Sequence, residues 1–157
     1  MREEDGAIAL EHAKLGQRHL KCEGSPELLF TENETNVQRL FGVSNASPYV
    51  KDGLNECVVN GVHDAVNPAR VGTKAAARYV LSLEAGETQA VGLRLCPTST
   101  DSAPSGPKFE RIFAERIREA DEFYATVIPS DLTPDARMVM RQALAGMLCP
   151  SSSIITS

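Results

Sequence analysis

The sequence predicts a β-rich fold with C-terminal helices, namely a partial antiparallel β-sandwich followed by two amphipathic α-helices. Two observations support this prediction. Apolar and polar residues alternate along 78–83 and again along 88–95, which is the period of a half-buried strand. Farther along the chain, apolar residues recur at helical spacing over 109–127 and 133–148.

The first part of the chain contains four predicted strands. Short apolar runs at 27–31 and 56–60 predict buried strands, and the two alternating segments predict a hairpin around Gly86, which can adopt the positive φ of a tight turn. The intervening loops are rich in Asn, Gly, Pro and Ser, which favours an antiparallel sandwich over βαβ units. We therefore assign residues 1–96 to a partial β-sandwich domain.

The second part of the chain is predicted to be helical. Residues 97–108 contain three Pro and one Gly, which indicates a linker. Residues 109–148 hold the two helices, the second with Thr133 as N-cap and Pro134 at its first position. The periodicity stops at Cys149-Pro150, so 149–157 is expected to be a separate tail.

Composition limits the functional classes. Sixteen basic and 21 acidic residues give a net charge of -5, which argues against nucleic acid or an anionic membrane as a partner. No apolar run reaches the ~20 residues that span a bilayer, and the acidic start does not resemble a secretory signal. We expect a cytoplasmic location.

The cysteines and histidines do not predict a metal site. Four Cys lie at wide spacings without a CxxC motif, so no metal and no cofactor are expected. Two disulfides are formally possible, but reduced thiols are expected because the chain start does not resemble a secretory signal. Surface positions are the expectation for His12, His19 and His63. Lys74 and Arg70 flank Gly72-Thr73, but the GxxxxGK[ST] pattern is absent, so a solvated loop is expected there rather than a phosphate site.

One polar segment is a candidate site. On a strand, Glu32 and Glu34 would share one face and, with Asp52, could form an acid/base set. The alternative is an exposed loop whose Asn and Asp side chains hold turns by bonding to the backbone. The candidate residues are Glu32, Asn33, Glu34, Asn36, Lys51 and Asp52.

Several ordered motifs resemble a known family. They are Leu28–Asn36 (LLFTENETN), Arg39–Gly42 (RLFG), Asn45–Gly53 (NASPYVKDG), Ala65–Ala77 (AVNPARVGTKAAA), Glu119–Ala125 (EADEFYA) and Arg141–Leu148 (RQALAGML). Together they resemble the bacterial and fungal enzymes of glycoside hydrolase family 63, of the glucosidase and mannosylglycerate-hydrolase type. The resemblance covers roughly residues 20–148.

The resemblance implies an N-terminal β-sandwich, linker helices and an (α/α)6 barrel in which two carboxylates cleave an α-glycosidic bond with inversion. Both carboxylates lie downstream of the segment present here, so no catalytic residue is assigned. We expect the chain to be an inactive piece of a larger protein that reaches its partner, an α-glucoside or related small glycoside, through the missing catalytic domain. Part of the sandwich is expected to be missing, and 149–157 departs from the family pattern.

The resemblance also changes the interpretation of the six candidate residues. Sandwich loops in such enzymes often lie over the barrel mouth, so these residues are expected to be substrate-proximal rather than catalytic. The alternative function is a stand-alone carbohydrate-binding or scaffolding module without hydrolase activity.

Overall fold

The computed structural model describes residues 1–97 and 103–153. Within these residues the strands are β1 (Arg2–Glu4), β2 (Ala7–His12), β3 (Gly16–Cys22), β4 (Glu27–Thr31), β5 (Lys74–Arg78) and β6 (Leu93–Cys96). The helices are α1 (Val37–Phe41), α2 (Gly53–Asn60), α3 (Pro107–Val127) and α4 (Pro134–Ser153), with a 3₁₀ turn at His63–Ala65. The fold therefore combines antiparallel strands with helices.

Sheet I has the strand order β1-β2-β3-β6, and every neighbouring pair in it is antiparallel. The β1–β2 hairpin closes through two residues, Asp5 and Gly6, at φ 51° and 74°. Two positive φ values are the requirement of a type I′ turn, which Asp-Gly satisfies well. At the next turn, His12 Nδ1 accepts hydrogen bonds from the backbone N–H groups of Lys14 and Leu15, each over 3.3 Å.

Sheet II consists of β4 and β5, paired antiparallel. The predicted strand at 27–31 is confirmed as β4. Its residue Phe30 is fully buried and forms a cluster with Leu28 and with Ile8 of sheet I. A second cluster joins Leu29 of β4 to Cys57 of α2 and to Val66. Strand β4 is therefore buried on both faces, which accounts for its continuous apolar sequence.

The predicted strand at 56–60 is wrong, because these residues form the end of α2. Within the run, Cys57 is buried whereas Val58 and Val59 are exposed, so the segment has one inward face rather than two. Gly61 ends the helix at φ 69°, in the left-handed conformation that glycine adopts at low cost.

The predicted hairpin of 78–83 with 88–95 is also wrong as a pair of strands. The turn itself is present, since Glu87 N donates to Glu84 O over 3.0 Å with Gly86 at φ 82°. However, the regular strands are β5, which ends at Arg78, and β6, which begins at Leu93. Because β5 pairs with β4 and β6 pairs with β3, the two strands on either side of this turn belong to different sheets.

Both predicted helices are confirmed, with changed ends. Helix α3 begins two residues early, at Pro107. The predicted cap of α4 is present, because Ala136 N donates to Thr133 Oγ1 over 3.3 Å. Helix α4 runs to Ser153 rather than stopping before Pro150.

The chain divides into two compact units, Met1–Phe109 and Glu110–Ser157. The first holds both sheets, and the second holds α4 and most of α3. Of the predicted linker 97–108, residues 98–102 lie outside the described part of the chain, as do residues 154–157 of the predicted tail. No helix in the described residues is long and apolar enough to cross a membrane.

Candidate functional site

The predicted site residues lie on two neighbouring segments of the first unit. One segment, 32–36, leaves the end of β4 and leads into α1, and the other, 45–52, leads into α2. Backbone hydrogen bonds join them, from Glu32 N to Tyr49 O over 2.7 Å and from Lys51 N to Glu34 O over 3.1 Å. The fold thus brings the two candidate sequences together, and we call this region the loop cluster (residues 32–36, 39, 45, 51–52 and 73).

Asn36 connects the parts of the loop cluster. Its Oδ1 accepts hydrogen bonds from Arg39 N and from Asn45 Nδ2, both over 3.0 Å, so the side chain caps α1. Its Nδ2 donates to Asp52 Oδ2 over 3.1 Å. One amide therefore fixes three segments, which is the structural role that the loop interpretation predicted for it.

One carboxylate oxygen of Asp52 is held by hydrogen bonds, and the other has no partner among the described residues. Oδ2 accepts from Asn36 and also from Arg39 Nη1, over 3.3 Å. Oδ1 is buried and has no hydrogen-bond partner among the described residues. Although Asp52 immediately precedes α2, its side chain makes no capping hydrogen bond to that helix. A buried carboxylate oxygen without a donor is costly, so Oδ1 is an unsatisfied acceptor among the described residues.

The rim of the loop cluster adds further donors. Lys51 Nζ donates to Thr35 Oγ1 over 3.0 Å, and Lys51 is exposed. A cavity of about 200 Å³ is lined by Thr35, Asn36, Arg39, Leu40, Lys51 and Asp52. The exposed walls of this cavity are formed mainly by carbon atoms of these side chains.

Glu32, Glu34 and Asp52 do not form the acid/base set that a strand over 32–34 would have allowed. Strand β4 ends at Thr31, so Glu32 and Glu34 do not share a strand face. The Glu32 carboxylate instead accepts a hydrogen bond from Thr73 Oγ1 over 2.5 Å, and the same hydroxyl accepts one from Asn33 N over 2.8 Å. Glu34 is exposed. Glu32 and Asp52 have different hydrogen-bond partners.

Three members of the loop cluster were missed in the sequence, as was the close approach of Gly72 to Thr31. Arg39 and Asn45 bind the side chains of Asp52 and Asn36, and Thr73 binds Glu32. Gly72 lies so close to Thr31 that an added Cβ would be 2.3 Å from the Thr31 carbonyl oxygen. A usable signal existed for Arg39, because Asn36 and Gly42 bracket a short apolar run as N-cap and C-cap residues do.

The other residues singled out in the sequence form neither a phosphate loop nor a metal site among the described residues. Arg70 forms an ion pair with Glu3 rather than a phosphate loop with Lys74. His19 is buried, contrary to expectation, and neither ring nitrogen has a hydrogen-bond partner among the described residues. His63 is exposed and lies 3.8 Å from the buried thiol of Cys57. The described residues contain no group of His, Cys, Asp and Glu that could hold a metal ion.

A second cavity, of about 620 Å³, lies where β3 connects to β4. Its lining includes Glu27 and Arg78, paired over 3.0 Å, and Tyr79, whose hydroxyl donates to Glu23 O over 2.8 Å. Burial raises the pKa of the neighbouring Cys22 thiol, an effect that a hydrogen bond with Tyr79 partly offsets. A thiol with a raised pKa is a poor nucleophile, so Cys22 is a structural residue.

Comparisons with known proteins found a similar protein in yeast. No family model matches the chain, and no solved structure matches it. The chain is similar to a yeast protein. Over 133 residues it is 37% identical to "Uncharacterized protein YMR196W" of Saccharomyces cerevisiae (strain ATCC 204508 / S288c), and the match covers 78% of this chain and 12% of the yeast protein. The chain thus spans about an eighth of the length of this relative.

Proposed function

We propose that the chain is the N-terminal part of a family 63-like glycosidase that hydrolyses α-glycosidic, chiefly α-glucosidic, bonds in carbohydrate metabolism in the cytoplasm. The ordered motifs between residues 28 and 148 support this proposal. The yeast relative supports it too, because that protein is about eight times as long as the matched region and so has room for a separate catalytic domain. The chain alone is inactive, since both catalytic carboxylates belong to the barrel.

In this proposal, sheets I and II are part of a β-sandwich. Ile8 and Leu20 of sheet I pack against Leu28 and Phe30 of sheet II, with Ala75 and Ala77 of β5 at the edge of the same cluster. Alternate residues of two sheets meeting in one apolar layer are the packing mode of a sandwich. The remaining strands are supplied by parts of the parent protein beyond this chain.

The loop cluster forms part of the wall of the sugar site, and the free Oδ1 of Asp52 is the observation that supports this most directly. A sugar hydroxyl that donates to a carboxylate oxygen makes a charge-assisted hydrogen bond, which is stronger than a neutral one. Asn36 and Arg39 already hold Oδ2, so the carboxylate is oriented before a ligand arrives. The role is binding and positioning, because the inverting acid and base lie elsewhere.

Saturation-transfer NMR with methyl α-D-glucopyranoside tests the role of the loop cluster. We expect transfer to the sugar from the wild-type chain and a loss of at least about half of it in Asp52→Asn, which keeps the shape but removes the charge. Asp64→Asn is the matched control, because it makes the same change at an exposed residue outside the loop cluster. Equal transfer in all three proteins would contradict a sugar-binding role for Asp52.

Hydrolysis assays test the parent activity. The chain alone should release no nitrophenol from nitrophenyl α-glucosides above a heat-killed control, and should not cleave glucosylglycerate. The full-length yeast relative should hydrolyse at least one α-glucoside with inversion. Binding of glucosides by the chain combined with no hydrolysis by the yeast protein would favour the alternative function, a carbohydrate-binding module.

A further inference from the structure

The cavity of about 620 Å³ at the connection from β3 to β4 has no part in the proposed function. Its walls come from residues 23–27, 78–81 and 89–91. Small-molecule sites commonly measure about 300–1,000 Å³, so this cavity is large enough to hold a ligand. It is also about three times as large as the cavity of the loop cluster, which measures about 200 Å³.

Side chains join the three wall segments of this cavity to one another. Glu23 Oε2 accepts a hydrogen bond from Gly92 N over 2.8 Å, and Glu23 O accepts one from the Tyr79 hydroxyl, also over 2.8 Å. Arg78 Nη1 and Glu27 Oε2 form an ion pair over 3.0 Å. The walls are therefore held in place before a ligand binds, which lowers the free-energy cost of binding.

Several polar groups of the cavity have hydrogen-bonding capacity left for a ligand. The Ser25 hydroxyl and the Gln89 amide make no hydrogen bond to any other residue in the described part of the chain. Residues 79–81 and 89–91 belong to none of the strands there, so no sheet ladder uses their backbone N–H and C=O groups. The cavity thus offers both donors and acceptors.

The charges and the wall of the cavity favour a neutral ligand that carries many hydroxyl groups. Arg78 is the guanidinium of the lining and is already paired with Glu27, while Glu23 adds a further carboxylate, so an anionic ligand would be repelled. Hydroxyl groups can donate to carboxylates and accept from amides. Polar atoms also form more of the exposed wall here than apolar atoms do, whereas the cavity of the loop cluster is walled mainly by carbon.

We propose that this cavity is a second binding site for α-glucosides, separate from the loop cluster, and that it holds a ligand longer than one glucose unit. The ligand class rests on the proposed function, whereas the position of the site rests on the cavity itself. A site of this kind keeps the substrate on the protein and takes no part in hydrolysis, so it raises the local concentration of substrate for the parent enzyme.

Titration of the ¹⁵N-labelled full chain with maltose tests the site, because amide chemical shifts report where the sugar binds. The amide signals of 23–25, 79–81 and 89–91 should move in a saturable manner. Gln89→Leu removes the amide at almost unchanged size and should raise the dissociation constant measured there by about threefold or more. Gln17→Leu makes the same change at an exposed residue outside the cavity and should keep the wild-type value.

The outcomes separate this site from the proposed function. An absence of saturable shifts at the cavity overturns the inference, and if the loop cluster still responds, the proposed function is unaffected. Equal weakening by Gln89→Leu and Gln17→Leu also overturns it, as does tighter binding of cyclohexylamine, a six-membered ring with a single cationic group, which contradicts the ligand class. Saturable shifts at the cavity combined with no hydrolysis by the full-length yeast relative would contradict the proposed function and support the site.

Discussion

The side-chain amide of Asn36 donates to Asp52 Oδ2 over 3.1 Å across 16 positions of sequence. The same side chain also accepts from Arg39 N and from Asn45 Nδ2. Asn36 therefore couples the N-terminus of α1 to the residue that precedes α2, and the local order of the loop cluster depends on it.

We expect Asn36→Ala to lower the free energy of unfolding by about 1–3 kcal/mol, because it removes an N-cap and leaves Asp52 and Asn45 each without one partner. Urea denaturation followed by circular dichroism measures the change. Asn33→Ala, at an exposed neighbour, should stay within about 0.5 kcal/mol. Similar losses in both variants would indicate that the loop cluster is not organised around Asn36.

Two glycine substitutions should have opposite effects on stability. A Cβ on Gly53 would lie 2.2 Å from the Ala65 carbonyl oxygen, so Gly53→Ala should destabilise the first unit by about 1–3 kcal/mol. A Cβ on Gly146, inside α4, meets nothing within 4 Å. Gly146→Ala should therefore stabilise the helix by roughly 0.5–1 kcal/mol. Thermal melts measure both changes. A Gly53→Ala variant that is as stable as the wild type, or more stable, would contradict the close approach of Gly53 to Ala65.

The Cys22–Tyr79 contact should be visible in thiol chemistry. Burial raises the pKa of Cys22, so its alkylation by iodoacetamide should accelerate at a higher pH in the native chain than in urea. Tyr79→Phe removes the hydrogen bond that lowers this pKa and should move the native profile higher still. Mass spectrometry of the Cys22 peptide gives both profiles, and coincident native and unfolded profiles would exclude the shift.

The raised pKa of Cys22 should make the stability of the fold depend on pH. The folded state holds the Cys22 proton more tightly, so above the ordinary thiol pKa the unfolded state binds fewer protons than the native state. The free energy of unfolding should then fall as the pH rises through that range. Cys22→Ser should flatten this fall, and an unchanged slope in urea titrations at alkaline pH would contradict the linkage.

The sequence predicted those elements whose conformation is set by neighbouring residues, and it failed where contacts between distant residues set the conformation. The helix over 109–127 and the Thr133 cap follow from local periodicity and capping, and both were predicted. The run at 56–60 was misassigned because Val-rich segments favour strands, whereas its conformation is set by burial of Cys57 against Leu29. A missed local signal was Asp5-Gly6, a strong hairpin dipeptide that closes β1 and β2.

The residues of the candidate site could also be predicted locally, whereas the contacts between them could not. The sequence identified the polar residues 32–36 and 51–52, but not that Asn36 would bind Asp52, because that contact depends on the path of the chain between α1 and α2. Thr73 lies some forty positions from Glu32 and no local pattern connects the two. The alternative in which Glu32 and Glu34 share one face depended on strand alternation, which fails because β4 ends at Thr31.

The helical unit carries an apolar groove that should bind a hydrophobic dye. A cavity of about 240 Å³ is lined by Phe123, Val127, Leu144, Met147 and Leu148. The sequence predicts two amphipathic helices here, and Phe123 and Leu148 are both more than half exposed. An accessible apolar groove of this kind enhances the fluorescence of anilinonaphthalene sulfonate, so the native chain should do so at neutral pH.

Two matched valine substitutions test where the dye binds. Val127→Gln places an amide in the groove and should reduce the enhancement several-fold, since burying an unpaired amide is unfavourable. Val139→Gln makes the same change on α4 at a residue that does not line the groove, and it should leave the signal near the wild-type value. Equal reductions would place the dye elsewhere on the helices, and no enhancement in the wild-type chain would mean that the groove is covered in solution.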